Sequence, residues 1–316
     1  MKASELPIRT KASAASILAL ALLATVALVA GPALASGAPR ADVIVLPGAK
    51  SAEGIAVGPG DTFYAGDLVR GDIFRGSLKR GTAEMFIDVP DGQMAVGMAV
   101  DLAHHLLFVA GGPGKAYVYN TSTGSTVATY QFADPAASIV NDVAITSRGA
   151  WFTDSKQAKL YFVPISAAGK PGSFRTLAIT GPASDISGAF NLNGIQAISD
   201  GNRLIVGHST TGRLYKVDPT TGVSVAIAGV SLPNVDGIVL QGRRLWAVQN
   251  AQNQVSEIQL SRHLDAGVVT KVTTDKRFQS PTSAARYGNQ LAVVQGKNDT
   301  GFPPTADQYE VVLVPV

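Results

Sequence analysis

The sequence predicts an all-β chain folded as a six-bladed β-propeller whose last blade is closed by an N-terminal strand. The first observation is a repeat: one variable residue, usually followed by glycine, precedes a short apolar run, at spacings of 43, 45, 52, 43 and 45 residues. Repeats of roughly 40–50 residues are typical of propeller blades. The six repeats begin at Glu53, Val96, Asn141, Asn193, Asp236 and Pro281.

The second observation is that each repeat contains further short runs rich in Val, Ile, Phe and Tyr, separated by Gly, Asp, Asn and Pro turns. This pattern is typical of strands. Outer fourth strands are expected at residues 84–89, 126–132, 175–179, 223–228 and 267–274.

The sixth repeat ends after its third strand at Val316, so its outer strand must come from elsewhere. The run Ala41–Leu46 can supply that strand, and its pairing would remove an open sheet edge. Residues 297–308 form a long insertion between the second and third strands of this repeat, and we expect a loop over one face.

Residues 1–35 are predicted to be a secretory signal peptide, which leaves residues 36–316 as one propeller domain. Three basic residues precede an apolar run at 17–29, and the small residues Ala33 and Ala35 mark a cleavage site after Ala35. The run is shorter than the ~20 residues of a membrane-spanning helix. We therefore expect a secreted protein without a membrane association after cleavage, although an uncleaved anchor is the alternative.

Composition excludes several classes of function. Removal of residues 1–35 leaves 23 basic and 22 acidic residues, and no basic cluster indicates a nucleic-acid partner. The chain has no cysteine, which excludes thiol nucleophiles, thiolate metal sites and iron–sulfur clusters. Neither a Gly-x-Ser-x-Gly elbow before a helix nor a phosphate-binding glycine loop is present. A monomer is expected, because a closed ring needs no partner.

The repeat starts indicate a metal site. First strands line the channel of a propeller, so these positions should surround one mouth. Glu53, Asn193 and Asp236 would offer two carboxylates and one amide oxygen, which suit Ca²⁺ first and also Mg²⁺. Mn²⁺ and Zn²⁺ are alternatives. Each residue considered alone is also compatible with a turn.

The chain resembles the senescence marker protein/gluconolactonase family, also called regucalcin-like, over about residues 41–316. The resemblance is carried by Glu53-Gly-Ile, Asn141-Asp, Asn193-Gly-Ile and Asp236-Gly-Ile in this order. It implies that Glu53, Asn193 and Asp236 bind a divalent metal, that Asn141 faces metal and substrate, and that Asp236 is the base.

Two departures from the family pattern indicate a changed substrate. The family's lactonases carry an arginine two residues before the position of Asn141, where this chain has Ile139. They also carry an acidic residue on the neighbouring strand that contacts sugar hydroxyls, whereas this chain has Ser155, Lys156 and Gln157 there. The metal pattern is retained, but the recognition of sugar lactones is not.

The resulting hypothesis is metal-assisted hydrolysis of a small-molecule lactone or ester. A metal would polarise the carbonyl, Asp236 would take the proton of the attacking water, and Asn141 would orient the substrate or stabilise the oxyanion. The roles of ligand and base conflict at Asp236. Substrate contacts at the rim are expected from Arg70, Lys156, His208 and Asn250. For His208 the alternative is a surface or hydrogen-bonded loop histidine. The competing hypothesis is a non-catalytic extracellular binding propeller, since the fold hosts both kinds of function.

Overall fold

The computed structural model describes residues 42–198 and 201–316 and contains six four-stranded antiparallel sheets. Each sheet is one blade, and the predicted six-bladed propeller is confirmed. The predicted signal peptide lies outside the described residues. Within the described ranges, no helix combines the length and the apolar character needed to cross a membrane.

The strands follow the order of the repeats, innermost to outermost. Blade 1 contains β2 (Ile55–Val57), β3 (Thr62–Gly66), β4 (Ile73–Ser77) and β5 (Thr82–Ile87). Blade 2 contains β6 (Met98–Asp101), β7 (Leu106–Ala110), β8 (Lys115–Asn120) and β9 (Thr126–Gln131). Blade 3 contains β10 (Val140–Thr146), β11 (Gly149–Asp154), β12 (Lys159–Pro164) and β13 (Arg175–Ala178).

The remaining blades repeat this arrangement. Blade 4 contains β14 (Leu192–Ile198), β15 (Arg203–His208), β16 (Arg213–Val217) and β17 (Ser224–Ala226). Blade 5 contains β18 (Val235–Gln241), β19 (Arg244–Gln249), β20 (Gln254–Leu260) and β21 (Gly267–Thr274). Blade 6 contains β22 (Pro281–Tyr287), β23 (Gln290–Gln295), β24 (Glu310–Pro315) and, as its outer strand, β1 (Val43–Val45). Four 3-10 helices occupy Pro135–Ala137, Pro182–Ser184, Asn250–Gln252 and Asn298–Thr300.

The N-terminal strand closes the ring as predicted. It pairs antiparallel with β24, with Ile44 opposite Val311, and the Ile44 side chain is fully buried. At the channel, the Thr282 hydroxyl of blade 6 donates a 2.8 Å hydrogen bond to the Glu53 carbonyl oxygen of blade 1. The junction of blades 6 and 1 is therefore held at the channel, and the outer edge of β24 in blade 6 is paired with β1.

The hydrophobic core is divided into six clusters, each between two neighbouring blades. One cluster joins blade 6, including Ile44 and Tyr309, to Phe63 and Phe74 of blade 1. Five others fill the remaining inter-blade spaces in the same way. Because each blade buries both of its faces against neighbours, the ring holds the innermost strands in fixed positions around the channel.

Polar side chains at the ends of the second strands brace the blades at one face of the ring. Asp67 accepts hydrogen bonds from Ser51 and from the backbone of Lys50 and Val69. Asp154 occupies the equivalent position in blade 3, and His208 occupies it in blade 4. We call these three residues the brace residues; all are fully buried. They connect the loop that enters a blade to the loop after its second strand, so they position both loops.

Candidate active site at the channel mouth

A cavity of about 710 Å³ opens at one mouth of the channel. Its lining comes from three kinds of segment: the loops that lead into the blades, the starts of the innermost strands and the loops that follow the second strands. Glu53, Asn141, Asn193 and Asp236 all lie on this lining, as do the rim candidates Lys156 and Asn250. The structure therefore brings six of the eight residues singled out from the sequence to one cavity. The insertion in blade 6 also reaches it through Asn298 and Phe302.

β-Bulges in the innermost strands set the direction of three of these side chains, those of Asn141, Asn193 and Asp236. In blade 3 the pairing jumps from Val140 opposite Asp154 to Val143 opposite Phe152, so Asn141 and its successor oppose a single residue. Equivalent jumps occur around Asn193 in blade 4 and Asp236 in blade 5. A bulge inserts an extra residue, bends the strand and re-aims a side chain. The repeated start pattern thus encodes a repeated bulge at the channel.

Glycine follows the site residue in most repeats because the innermost strands approach one another closely. A Cβ atom on Gly54 would lie 2.0 Å from the Val96 carbonyl oxygen of the next blade. A Cβ on Gly194 would lie 2.5 Å from the Asp236 carbonyl oxygen. Both distances are shorter than van der Waals contact, so these positions require the absence of a side chain.

Each site residue on blades 3 to 5 is oriented by a residue after the second strand of its own blade. Asn141 Nδ2 donates to Ser155 Oγ over 3.0 Å, and Asn193 Nδ2 donates to Ser209 Oγ over 2.9 Å. Asn250 Nδ2 donates to Asp236 Oδ2 over 3.0 Å. In the described part of the chain, no hydrogen bond to Oδ1 of Asn141 or Asn193 is formed. Both amide oxygens therefore remain as free acceptors.

A third carboxylate that we did not predict, Asp142, lies beside this set. Its Oδ1 accepts from the backbone N–H of Val143 at 2.8 Å, and its Oδ2 accepts from Ile195 N–H of blade 4 at 3.0 Å. It occupies the register that glycine fills in four of the other repeats, and it reaches across to the neighbouring blade. An acidic residue at the glycine position of the repeat was the signal that could have identified it.

The three carboxyl groups share one poorly hydrated environment. Desolvation raises the pKa of Asp142 to about 7. Hydrogen bonds from two backbone N–H groups favour the charged form and partly oppose this rise. Desolvation likewise raises the pKa of Asp236 to about 7, against hydrogen bonds from Asn193 and Asn250 and with repulsion from Asp142. Desolvation, followed by repulsion from Asp236 and Asp142, raises the pKa of Glu53 well above its usual value.

No described cation balances these groups. The ion pairs found within residues 42–198 and 201–316 leave out Glu53, Asp142 and Asp236. Asp236 is buried, and Glu53 and Asp142 are half-buried. Carboxylates in such poorly hydrated positions remain charged only at an electrostatic cost when no cation balances them. A bound divalent cation would remove that cost.

The donor chemistry fits a hard divalent cation through a mixed set rather than an acidic cluster. Over the described ranges, no group of three or more His, Cys, Asp or Glu side chains is arranged to hold a metal ion. The residues that fit are the two carboxylates of Glu53 and Asp236 together with the free amide oxygens of Asn193 and Asn141. Ca²⁺ and Mg²⁺ accept such oxygen ligands and complete their coordination with water.

Two rim candidates do not reach the cavity. Arg70 is exposed and its Nε pairs with Asp72 Oδ2 at 3.0 Å. His208 is fully buried. Its Nε2 is hydrogen-bonded to the Asp185 carbonyl oxygen at 2.8 Å, and its Nδ1 accepts a hydrogen bond from the Thr211 N–H at 3.3 Å. His208 ends the second strand of blade 4 and is a brace residue. The rim is therefore formed by the loops that it connects and not by its imidazole ring.

The cavity lining mixes apolar and polar side chains. Blades 1 to 3 contribute the polar Glu53, Ser138, Asn141 and Lys156 and also six apolar residues, which we call the apolar wall. It consists of Leu68, Met94, Val96, Pro113, Pro135 and Ile139. The side formed by blades 4 to 6 is mostly polar, and we call it the amide wall. It consists of Asn193, Ser209, Asn234, Asp236, Asn250 and Asn298. Lys156 is the only basic residue on the described lining, and it is exposed.

Comparisons with known proteins support the fold. No family model and no curated protein matches the chain. Among solved structures, the chain is similar to the Malassezia sympodialis allergen Mala s 1, with 17% identity and a TM-score of 0.63, covering 86% of this chain and 96% of the allergen.

Two further structures give the same result. The Cps50 (Swd1) β-propeller domain from Myceliophteria thermophila has 14% identity and a TM-score of 0.57, covering 80% of this chain and 82% of that one. A Lactobacillus plantarum protein has 16% identity and a TM-score of 0.54, covering 84% and 85% of the two chains. At these identities the likeness extends to the fold alone.

Proposed function

We propose that this protein is a secreted, divalent-metal-binding hydrolase of lactones or esters, similar in type to gluconolactonases but with a different substrate. The observation that carries the proposal is the pair of carboxylates of Glu53 and Asp236. Both line one cavity together with the free amide oxygens of Asn141 and Asn193, and no described cation balances them. Desolvation, and then repulsion from Asp236, raises the pKa of Glu53 well above its usual value. Secretion rests on the predicted signal peptide at residues 1–35.

Glu53, Asn193 and Asp236 would hold the cation, with Asn141 beside them. When bound, a divalent cation polarises a carbonyl oxygen as a Lewis acid. The chain's own contribution is orientation: Ser155 fixes the Asn141 amide, and Asn250 fixes the Asp236 carboxylate. Ca²⁺ is the cation that we expect first, and Mg²⁺, Mn²⁺ and Zn²⁺ are alternatives.

Asp236 is the proposed acceptor of the proton from an attacking water. Its pKa of about 7 lies near neutral pH, where a carboxyl group is most effective as a general base. Because a carboxylate bound to a cation is less basic, its roles as ligand and base can be separated only by comparing variants. Asn141, whose Oδ1 is a free acceptor, would orient the substrate.

Calorimetry of the mature protein, residues 36–316, with Ca²⁺, Mg²⁺, Mn²⁺ and Zn²⁺ tests the metal site. We expect one bound divalent ion. Glu53→Gln and Asp236→Asn should each weaken binding at least about tenfold, since each removes one of two charged ligands. Asp91→Asn is the matched control, because Asp91 is an exposed acid outside the cavity lining. Absence of binding in the parent, or equal binding in all variants, would refute the site.

Ester turnover at saturating cation tests the base. Glu53→Gln should regain much of its activity when cation is added, because it lacks only a ligand. Asp236→Asn should remain inactive even when a cation is bound, because it lacks the proton acceptor. Full activity of cation-loaded Asp236→Asn would exclude the role of base. If the parent binds a ligand but hydrolyses no ester, the alternative of a non-catalytic binding propeller would be favoured.

A further inference from the structure

The cavity lining combines a group of apolar side chains with a group of polar ones, and both bear on the substrate. The apolar wall combines side chains of three blades, including the buried Leu68 and Val96 and the partly buried Met94 and Ile139. The charged Glu53 and Lys156 lie beside it on the same blades. The amide wall holds the carboxylate of Asp236 and the amides of Asn193 and Asn250. A ligand that fills the cavity would therefore contact an apolar surface as well as polar groups.

We propose that the substrate is an amphipathic ester or lactone with a neutral aliphatic or aryl body, rather than a polyhydroxylated one. The body would lie on the apolar wall and the carbonyl would face the amide wall. This inference rests on the proposed function for the carbonyl, but the apolar body is a claim about binding alone. Sites for small organic ligands are mostly apolar with a few placed polar groups, over ~300–1,000 Å³. The cavity, at about 710 Å³, fits that description.

The apolar wall of the cavity disfavours the polyhydroxylated class. A sugar-like ring presents hydroxyls on both faces, and each hydroxyl that is desolvated against Ile139 or Met94 would lose its partners in water. Ile139 has no polar atom in its side chain, and its backbone N–H is already bonded to Asp154 Oδ1 at 3.1 Å. Discrimination therefore arises from the apolar wall, and Ile139 is a specificity-determining residue.

Two aromatic side chains extend the apolar surface to the mouth. Phe190 precedes blade 4 and is 43% exposed, whereas Phe302, in the insertion of blade 6, is 72% exposed. Both lie on the cavity lining. An extended apolar chain that projects from the cavity would cover their exposed surface, which is favourable in proportion to the area removed from water.

A fluorescence titration with N-phenyl-1-naphthylamine, a neutral apolar dye, tests the apolar wall without requiring turnover. We expect the parent to bind the dye and Ile139→Ser to bind it about tenfold more weakly, the effect of losing one buried aliphatic side chain. Ile186→Ser is the matched control, because Ile186 is an exposed isoleucine outside the lining. Met94→Ser serves as the second variant if Ile139→Ser fails to fold.

Competition between two lactones completes the test. δ-Decalactone should displace the dye, whereas δ-gluconolactone at the same concentration should not. Equal displacement by both, no dye binding by the parent, or equal dye affinity in Ile139→Ser and Ile186→Ser would overturn the inference. Dye binding that persists in Asp236→Asn, with no hydrolysis of either lactone by the parent, would refute the proposed hydrolase and leave the apolar ligand class standing.

Discussion

Buried carboxylates occur in two regions of this molecule, and their surroundings differ. Asp154, a brace residue, accepts hydrogen bonds from Ser138 Oγ, Tyr161 Oη and the backbone N–H groups of Ile139 and Lys156, at 2.6 to 3.1 Å. Among the described residues, the Asp236 carboxylate at the channel mouth receives hydrogen bonds only from the amides of Asn250 and Asn193, and Asp142 repels it. The first arrangement is complete within the protein. The second leaves the charge of Asp236 without a balancing cation among the described residues, and the proposed metal site would supply one.

The comparison predicts opposite effects on stability, and the largest effect is expected at Asp154. Asp154→Ala should lower the free energy of unfolding by about 4 kcal/mol, because four donors in the blade 3 interface lose their acceptor and each buried unsatisfied group costs ~1–3 kcal/mol. Urea unfolding measures this. A loss below 1 kcal/mol would contradict the bracing role, and Asp67→Ala provides a parallel test in blade 1.

Asp236→Asn should change the free energy of unfolding in the opposite direction, as a stabilisation, in protein freed of divalent ions by EDTA. We expect a gain of roughly 2 kcal/mol at pH 8, since the substitution removes a charge that is poorly hydrated and repelled by its neighbours. The gain should vanish or reverse at saturating cation, when the parent regains its partner. Destabilisation by Asp236→Asn in EDTA would show that the channel carboxylates are balanced by the protein itself.

The pH dependence of that gain sharpens the comparison. The folded pKa of Asp236, about 7, lies above its unfolded value of ~3.9, so the folded state binds more protons between these values. Through this linkage, the stability of the metal-free parent should fall as pH rises from about 4 to 7 and level off above about pH 7. The advantage of Asp236→Asn should accordingly shrink towards zero only at about pH 4. A difference that is independent of pH would contradict the raised pKa.

The smallest effect on the free energy of unfolding is expected when one of the four hydrogen-bond donors to Asp154 is removed. Tyr161→Phe removes the 2.8 Å hydrogen bond to Asp154 Oδ2 and leaves three donors in place. The expected loss is about 1 kcal/mol, with unchanged cation affinity at the channel. Unfolding and calorimetry on the same sample measure both quantities, and a weakened cation affinity would show that the two regions are coupled.

Much of the fold could be predicted because its information is local and repeated. The repeat starts, the short strand runs and the unpaired end at Val316 together predicted six blades and the closing strand, which the structure has at Val43–Val45. Gathering Glu53, Asn193 and Asp236 at one mouth also followed from the repeat register. The bulges were not predicted, since they depend on pairing between strands rather than on composition.

His208 and Asp142 show what this reasoning leaves undecided about side chains. His208 was a candidate for the rim, with a hydrogen-bonded loop histidine as the alternative, and its ring is buried and bonded to the Asp185 carbonyl oxygen. Asp142 was passed over, although it bridges blades 3 and 4 through Ile195 N–H. In both cases the deciding partner lies at least 23 residues away or on another blade. Sequence pattern identifies the position of a residue in its blade, but not the neighbour that its side chain meets.

The sequence by itself determined the number of blades, the order of strands and the residues that begin each blade, because these depend on hydrophobic alternation and turn residues close in the chain. Only the tertiary structure decided which carboxylates share one environment, which amide oxygens stay free and which apolar side chains line the cavity. Those properties arise from the approach of blades that are far apart in sequence. Desolvation and repulsion depend on distance in space rather than distance along the chain.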